Sequence, residues 1–227
     1  MKKKRDASSY KRQKKYIRPS PFFIIVCEGK VTEVDYFKAF PYYSKLGDTL
    51  DSGYRYSHAA VYIVPEAGQH ENVVKKAYKV WVELNKKYGT ILPNEVWCVF
   101  DCDGDPGGLN RAIQAAKGKK FNAIYSVQCF ELWYLLYFQM VTGAISKTEY
   151  DKKISEYLGI CYTHGTRGMY DLLKERQDFA IRTAKQLWEQ KAQMGELQSD
   201  PITNVFLLVE ALNSAYEGLR NRQSSKG

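Results

Sequence analysis

The sequence lacks most of the features that assign a chain to a class at once. It has three histidines and five cysteines with no CxxC pair among 227 residues, which argues against a zinc site and a disulfide framework. There is no apolar run of 18 or more residues, so no transmembrane helix and no membrane partner are expected. The absence of a GxxxxGK segment excludes a P-loop nucleotide site. We expect a cytoplasmic protein whose cysteines are reduced and mostly buried.

Positive charge is concentrated at the start of the chain. The formal net charge is +9. Residues 1–18 contain nine lysines or arginines and one acid, which gives +8 and leaves +1 for all the rest. This pattern predicts a flexible basic tail over residues 1–20 that contacts nucleic-acid phosphates, with a merely solubilising terminus as the alternative. The candidate phosphate contacts are Lys11, Arg12, Lys14, Lys15 and Arg18.

The most informative segment is a buried-strand pattern that runs directly into carboxylates. The apolar residues 96–100 are followed by Asp101, Asp103 and Asp105, and turn-forming glycine and proline come next. If the strand stays extended through Asp103, the first two carboxylates project to the same side. Paired carboxylates beside a buried strand are costly unless a cation neutralises them, and this favours a divalent metal site over a solvated acidic turn.

Two further strand patterns also end near an acidic residue. The pattern at residues 22–27 leads to Glu28, and the pattern at residues 122–127 leads to Glu131. Ligand sites of open α/β sheets gather beyond the carboxyl ends of parallel strands, so we expect these acids to meet. For Glu28 the simpler alternative is an acid that favours the start of a helix, and for Glu131 it is an acid that caps a helix or pairs with a buried base. The predicted catalytic and metal-binding residues are Glu28, Asp101 and Asp103, with Asp105, Glu131 and Lys30 as accessory candidates.

The remaining patterns predict an α/β fold, with an open, mostly parallel sheet flanked by helices and a helical C-terminal extension. The predicted units are a tail (1–20), a metal-binding core (21–141) and a helical region packed on the core (142–227). A capping box from Thr32 to Asp35 is expected to open the first helix. A fourth strand is predicted over residues 54–64. The other predicted helices cover residues 71–87, 108–117, 130–141, 148–158, 169–194 and 203–219.

Four short motifs occur in a fixed order along the chain. They are Glu28-Gly29-x-x-Thr32-Glu33, Phe100-Asp101-x-Asp103, Cys129-Phe130-Glu131-Leu132-Trp133 and Pro201-x-Thr203-x-Val205. With these motifs, over about residues 22–212, the chain resembles the RloB-like family of prokaryotic restriction and phage-defence loci. The basic tail lies outside the resemblance.

That family is similar to Toprim domains, which share a glutamate after the first strand and a later Asp-x-Asp. Here these are Glu28, and Asp101 with Asp103. The resemblance implies a parallel sheet with Mg²⁺, or Mn²⁺, at these carboxylates, and Glu28 either completes the metal site or acts as the base. Topoisomerases of this fold use a catalytic tyrosine, and no motif here marks one. The resemblance therefore implies a nuclease in abortive-infection defence, with RNA such as tRNA slightly favoured over DNA.

Two other functions remain open at this point. The chain is alternatively a non-hydrolytic module that binds metal and nucleic acid, or that binds a defence partner or a second copy of itself through its C-terminal helices. A lesser alternative is a haloacid-dehalogenase-like phosphatase, because Asp101-Cys-Asp103-Gly resembles the DxDG motif of those enzymes. Their motif follows the first strand, however, whereas here it follows a later one.

Overall fold

The sheet contains four strands, all parallel. The structure is a computed structural model that describes residues 21–41 and 60–224, so the predicted tail and the first part of the predicted strand at 54–64 lie outside the described residues. The strands are β1 (Phe22–Cys27), β2 (Ala60–Val64), β3 (Val96–Asp101) and β4 (Asn122–Ser126), and they are arranged in the order β2-β1-β3-β4. The predicted open parallel sheet flanked by helices is confirmed.

Eight α-helices accompany the sheet in the described part of the chain. None of them is long and apolar enough to span a lipid bilayer. Short 3₁₀ turns lie at Pro93–Glu95 and Lys174–Arg176. The helices are α1 (Thr32–Lys38), α2 (Glu71–Tyr88), α3 (Pro106–Gly118), α4 (Glu131–Leu135), α5 (Lys147–Leu158), α6 (Met169–Leu173), α7 (Gln177–Met194) and α8 (Val205–Ser224).

Two predicted helices differ from the observed ones in extent. The continuous buried helix over residues 130–141 is wrong, because α4 ends at Leu135. A segment that is apolar on every side has no periodicity that marks where a helix stops, so tertiary packing decides its end. The single helix predicted over residues 169–194 is also wrong, because a 3₁₀ turn at Lys174–Arg176 separates α6 from α7.

Both faces of the sheet are covered, as expected for parallel strands. On one face, alternate residues of β1 and β3 pack against α1, α4 and the C-terminal helices. On the other face, the intervening residues pack against α2 and α3. In the C-terminal helices, Leu173 and Leu187 are buried, whereas Leu172 and Phe179 remain exposed. The C-terminal region therefore contributes directly to the main core.

The outer edge of β4 is closed by residues 201–204, which belong to the last of the four motifs. The side chain of Asn204 accepts a hydrogen bond from the backbone N–H of Tyr125 at 2.6 Å and donates one to the carbonyl of Ala123 at 2.9 Å. Thr203 forms an antiparallel bridge with Ser126. These contacts occupy strand groups that would otherwise be unpaired. Ser126 pairs in turn with Asp101 on β3, so this closure supports the strand that carries the candidate site.

The cysteines follow the prediction made from their surroundings. No disulfide is present among the described residues, and the five cysteines are free. Cys161 is exposed, and the other four, which are Cys27, Cys98, Cys102 and Cys129, are buried.

Candidate metal centre

The acidic residues of the first two motifs lie at the topological switch point of the sheet, between β1 and β3. From β1 the chain passes to β2 on one side, and β3 then joins β1 on the other side. The carboxyl ends of β1 and β3 therefore border the crevice in which open α/β sheets bind their ligands. Glu28 directly follows β1 and Asp101 ends β3. The backbone N–H of Glu28 donates to the carbonyl of Val99 at 3.0 Å, which holds the two strand ends together.

Asp101 occupies the centre of the acidic group. Its side chain lies on the same sheet face as that of Val99, and its Oδ2 accepts a hydrogen bond from the backbone N–H of Phe130 at 3.1 Å. Burial raises the pKa of Asp101 well above its usual value, and repulsion by surrounding carboxylates adds to this effect. The carboxylates responsible are Glu33, Glu131, Asp103 and Glu28.

Glu28 lies at the rim of the same group. It is half-buried, and its Oε2 accepts a hydrogen bond from the backbone N–H of His70 at 3.3 Å. Burial raises the pKa of Glu28, and the negative charge of Asp103 acts in the same direction, whereas the hydrogen bond from His70 partly offsets both. Glu28 is therefore half-buried, and the charge of Asp103 links it electrostatically to the cluster.

Asp103 joins the group by a turn and not by strand extension. The condition that β3 stays extended through Asp103 is not met, because the strand ends at Asp101. Asp103 and Gly104 both have positive φ, and the N–H of Asp105 donates to the carbonyl of Cys102 at 2.8 Å. This is the pattern of a type I′ turn, which requires residues that tolerate the left-handed region. The turn leaves the Asp103 side chain about one-third exposed (31%) and hydrogen-bonded to the ammonium of Lys147.

Glu131 is the most deeply buried acid of the group, with 2% of its surface exposed. Its Oε1 accepts a hydrogen bond from the Tyr162 hydroxyl at 2.9 Å and lies 2.7 Å from Nδ1 of His164. Its Oε2 is buried and has no hydrogen-bond partner. Burial raises the pKa of Glu131, but the hydrogen bond and charge of His164, together with hydrogen bonds from the Glu131 backbone and from Tyr162, outweigh burial, and the pKa is lowered. A buried, ionised carboxylate with one free oxygen is expected to have a further cationic partner.

Glu33 is a fifth member that the sequence prediction missed. It is 5% exposed, and burial raises its pKa, with added repulsion from Glu131 and Glu28. It packs closely on Gly29, where a Cβ would lie 2.7 Å from Glu33 Oε2. The sequence spacing could have indicated that Glu33 is buried. Glu33 lies one helical turn before the buried Phe37 and therefore lies on the same face of α1.

The capping box predicted at the start of α1 is wrong. Thr32 is the first residue of the helix, Val31 is the N-cap residue, and no side chain caps the end. The Thr32 hydroxyl is buried without a hydrogen-bond partner, and Asp35 instead accepts a hydrogen bond from the backbone N–H of Gly168 at 2.7 Å. The tertiary contacts of the acids on α1 therefore replace the local capping pattern that their sequence suggested.

Two accessory candidates have other partners. Asp105 is the N-cap residue of α3 and accepts a hydrogen bond from the N–H of Gly108 at 2.9 Å. Lys30 forms an exposed ion pair with Glu66 at 2.5 Å. The basic residues predicted to contact nucleic acid, which are Lys11, Arg12, Lys14, Lys15 and Arg18, lie outside the described residues.

Lys147 is a second residue that the sequence prediction did not identify. It is the first charged residue after Glu131 along the chain, and it begins α5, whose N-cap residue Ser146 accepts a hydrogen bond from the N–H of Glu149. Burial lowers the pKa of Lys147. The hydrogen bond and the negative charge of Asp103, together with other acidic groups nearby, have a larger combined effect than burial, so the pKa is raised. The long apolar interval before Lys147 was the only sequence signal.

The residues present have the chemistry of a site for a hard divalent cation. Asp101, Asp103 and Glu28 supply carboxylate oxygens, which are the ligands that Mg²⁺ prefers, and the free oxygen of Glu131 supplies an unsatisfied acceptor beside them. Within residues 21–41 and 60–224, no three His, Cys, Asp or Glu side chains lie close enough together to enclose an ion. Like charges repel, so binding would require the carboxylate side chains to converge on the cation.

Comparison with known proteins gives one match. The model of the RloB-like protein family matches residues 23–212. No curated protein and no solved structure matches the chain. The matched range includes the strand ends, all five acids of the cluster and the segment that closes the edge of β4.

Proposed function

Because the chain belongs to the RloB-like family, we propose that it is a Mg²⁺-dependent nuclease of a prokaryotic defence against phage, with Mn²⁺ as the alternative ion. The observation that carries this proposal is the group of acids at the β1 and β3 ends, in which one oxygen of the buried Glu131 has no partner. Buried polar groups are normally hydrogen-bonded to protein or to ordered water, so the unpaired Oε2 of Glu131 leaves an acceptor for a cation or a bound water.

In this proposal Asp101 and Asp103 hold the ion, and the negative charge of Glu28, Glu33 and Glu131 supports its binding. When bound, Mg²⁺ supplies Lewis-acid stabilisation of the charge that develops on the phosphodiester. The protein's contribution is to hold the carboxylates in place. The backbone N–H of Phe130 fixes Asp101, as described above.

Glu28 is the residue we propose as general base. It lies at the rim of the cluster and is half-buried, whereas Glu131 is enclosed and already bound to Tyr162 and His164. A base must come within hydrogen-bond reach of the water that it deprotonates, and this requires contact with the substrate side of the site. Glu28 fits that requirement and Glu131 does not.

The tyrosines near the cluster favour hydrolysis by water over covalent catalysis. Tyr162 donates its hydroxyl hydrogen bond to Glu131, and Tyr134 donates to the carbonyl of Thr32 at 3.2 Å. Both side chains are buried, and burial raises the pKa of each hydroxyl well above its usual value. A nucleophilic tyrosine needs the opposite, an accessible oxygen that is readily deprotonated. Water is therefore the nucleophile in this proposal.

For the substrate we propose nucleic acid, with RNA such as tRNA ahead of DNA. This preference rests on the family resemblance, and the concentration of positive charge in residues 1–18 supports a polyanionic substrate in general. We further propose that the activity serves abortive infection, in which cleavage of cellular nucleic acid stops phage propagation.

The second candidate function is a non-hydrolytic binding module. The observation that favours it is the ion pair of Lys147 with Asp103, which already neutralises one of the carboxylates needed for a catalytic ion. In this alternative the cluster holds a structural cation and the protein binds nucleic acid or a defence partner without turnover.

One assay with the full-length protein separates the two functions. End-labelled RNA and DNA are incubated with wild type in Mg²⁺ or in EDTA, beside Asp101→Asn and the control Asp171→Asn, which changes an exposed acid of α6. The nuclease proposal predicts Mg²⁺-dependent cleavage by wild type and by the control, and none by Asp101→Asn. A shift in a gel without cleavage under any condition supports the binding module. Sequencing of cleaved ends after induction in cells then identifies the substrate.

A further inference from the structure

Lys147 presents a positive charge directly above the acidic cluster. Its ammonium contacts the Asp103 carboxylate, yet 57% of its side chain remains exposed. His164 is bound to Glu131, and 73% of its side chain is exposed. The ammonium of Lys147 acts to lower the pKa of His164, which shows that the two groups lie within electrostatic reach of each other. Asp103 and Glu131 are therefore each paired with a basic side chain that is more than half exposed.

The ammonium of Lys147 has unused hydrogen-bonding capacity. It carries three N–H donors, and in the described part of the chain it donates to one acceptor, Asp103. An exposed ion pair of this kind contributes little to stability. The position of Lys147 is nevertheless well defined, because it is the first residue of a helix whose N-cap side chain is hydrogen-bonded.

A cation bound by Asp103 would change the partner of this lysine. A divalent ion at the cluster competes with the ammonium for the same carboxylate and repels it at short range. The ammonium would then need another anionic acceptor, and a phosphodiester that binds over the cluster would supply one in its non-bridging oxygens. Lysine binds phosphate as a compact point charge with rotatable donors, so it can move from one acceptor to the other.

We propose that Lys147 is a substrate-binding residue whose ammonium exchanges the Asp103 carboxylate for a phosphate oxygen of the nucleic acid. This inference rests on the proposed function, since it assumes that a phosphodiester binds over the cluster. It also explains why an exposed lysine is paired with an acid that the metal site requires: the ammonium compensates the negative charge of Asp103 until an ion takes its place.

The test compares Lys147→Met and Lys147→Arg with Lys153→Met. Lys153 is the matched control, because it is on the same helix and forms a similar solvent-facing pair with Glu149 at 3.7 Å. Three quantities are measured on the full chain: the affinity for Mn²⁺ by calorimetry, the affinity for a short end-labelled RNA in Ca²⁺, and the rate of single-turnover cleavage in Mg²⁺.

For Lys147→Met we expect Mn²⁺ affinity equal to or higher than that of wild type, because a competing cation has been removed. RNA affinity should fall about 10- to 100-fold, which corresponds to the loss of a hydrogen bond between charged groups, and cleavage should fall with it. Lys147→Arg should recover much of the RNA affinity, because it keeps the charge, and Lys153→Met should behave as wild type.

Two outcomes overturn the inference while leaving the proposed function in place. One is unchanged RNA affinity and cleavage in Lys147→Met. The other is a parallel loss of Mn²⁺ affinity and melting temperature, which would mean that the lysine only ties α5 to the acidic turn. If wild type itself neither binds Mn²⁺ nor cleaves RNA, the proposed function fails and the inference fails with it.

Discussion

Asn204→Ala tests the closure of the sheet edge beside the candidate site. The substitution removes the acceptor for the backbone N–H of Tyr125 and the donor to the carbonyl of Ala123. Leaving a buried donor unsatisfied costs about 1–3 kcal/mol, and loss of the second hydrogen bond costs about 0.5–1.5 kcal/mol. The free energy of unfolding should therefore fall by about 2–4 kcal/mol.

The expected change is large enough for standard methods. For a chain of this size, about 2–4 °C of melting temperature is lost for each kcal/mol, so Asn204→Ala should melt about 5–15 °C lower than wild type. Urea denaturation followed by circular dichroism gives the free energy, and calorimetry gives the melting temperature. Asn110→Ala is the control, because Asn110 is exposed on α3, and it should change stability by less than about 0.5 kcal/mol.

The reasoning would be refuted if Asn204→Ala unfolded within about 0.5 kcal/mol of wild type. The side chain of Asn204 would then contribute little to closing β4. The role of the last motif as a cover for the strand next to Asp101 would have to be abandoned.

Three further predictions concern the acids and the basic tail. Without metal, the raised pKa values of Glu28, Glu33 and Asp101 mean that the folded protein binds their protons more tightly than the unfolded chain, so their contribution to stability falls as pH rises above the ordinary carboxyl range. In urea denaturation across pH, the free energy of unfolding should fall less steeply with pH for Glu33→Gln than for wild type. An equal slope for the two proteins would contradict the burial of the Glu33 charge. Glu28→Gln should abolish single-turnover cleavage but keep most Mn²⁺ affinity, whereas Asp101→Asn should lose both. Cleavage by Glu28→Gln at a rate near that of wild type would show that Glu28 takes no part in the reaction. Deletion of residues 1–18 should reduce the slope of log affinity against log salt for nucleic acid by about 0.7–0.9 per lost phosphate contact, and an unchanged slope would reassign the segment to solubility.

The sequence was sufficient to predict the sheet and the proximity of acids at the carboxyl ends of its central strands. Continuous apolar runs indicate strands that are buried on both faces, and an acid directly after such a run marks the end of the strand. Glu28 and Asp101 are in this position, and their proximity follows from the parallel arrangement alone. Local information therefore fixed the most important part of the candidate site.

Other parts of the site depend on contacts between distant residues. Lys147 contacts Asp103 across 44 positions, and His164 contacts Glu131 across 33 positions. No local pattern encodes such pairs, because they form only when the C-terminal helices pack on the sheet. The end of α4 at Leu135 was missed for a related reason, since packing and not periodicity determines where that apolar segment leaves the helix.

Glu33 shows how a correct local pattern leads to a wrong role. An acid near the start of a helix is normally explained by capping or by the helix dipole. In this protein the side chain of Glu33 is buried against Gly29 and faces other carboxylates. A buried position for an acid is unfavourable in isolation, and only the presence of the whole cluster, with its expected cation, makes the position understandable.

Calorimetric titration of Mn²⁺ into wild type and Asp101→Asn tests the central claim most directly. Asp105→Asn is the matched control, since it makes the same change from carboxylate to amide in the same loop, at a residue that caps α3. We predict saturable binding of Mn²⁺ by wild type and by Asp105→Asn, and a loss of about tenfold or more in affinity for Asp101→Asn, because a hard dication depends on anionic oxygen. Equal affinity of wild type and Asp101→Asn would contradict the assignment of this acidic cluster as the metal centre.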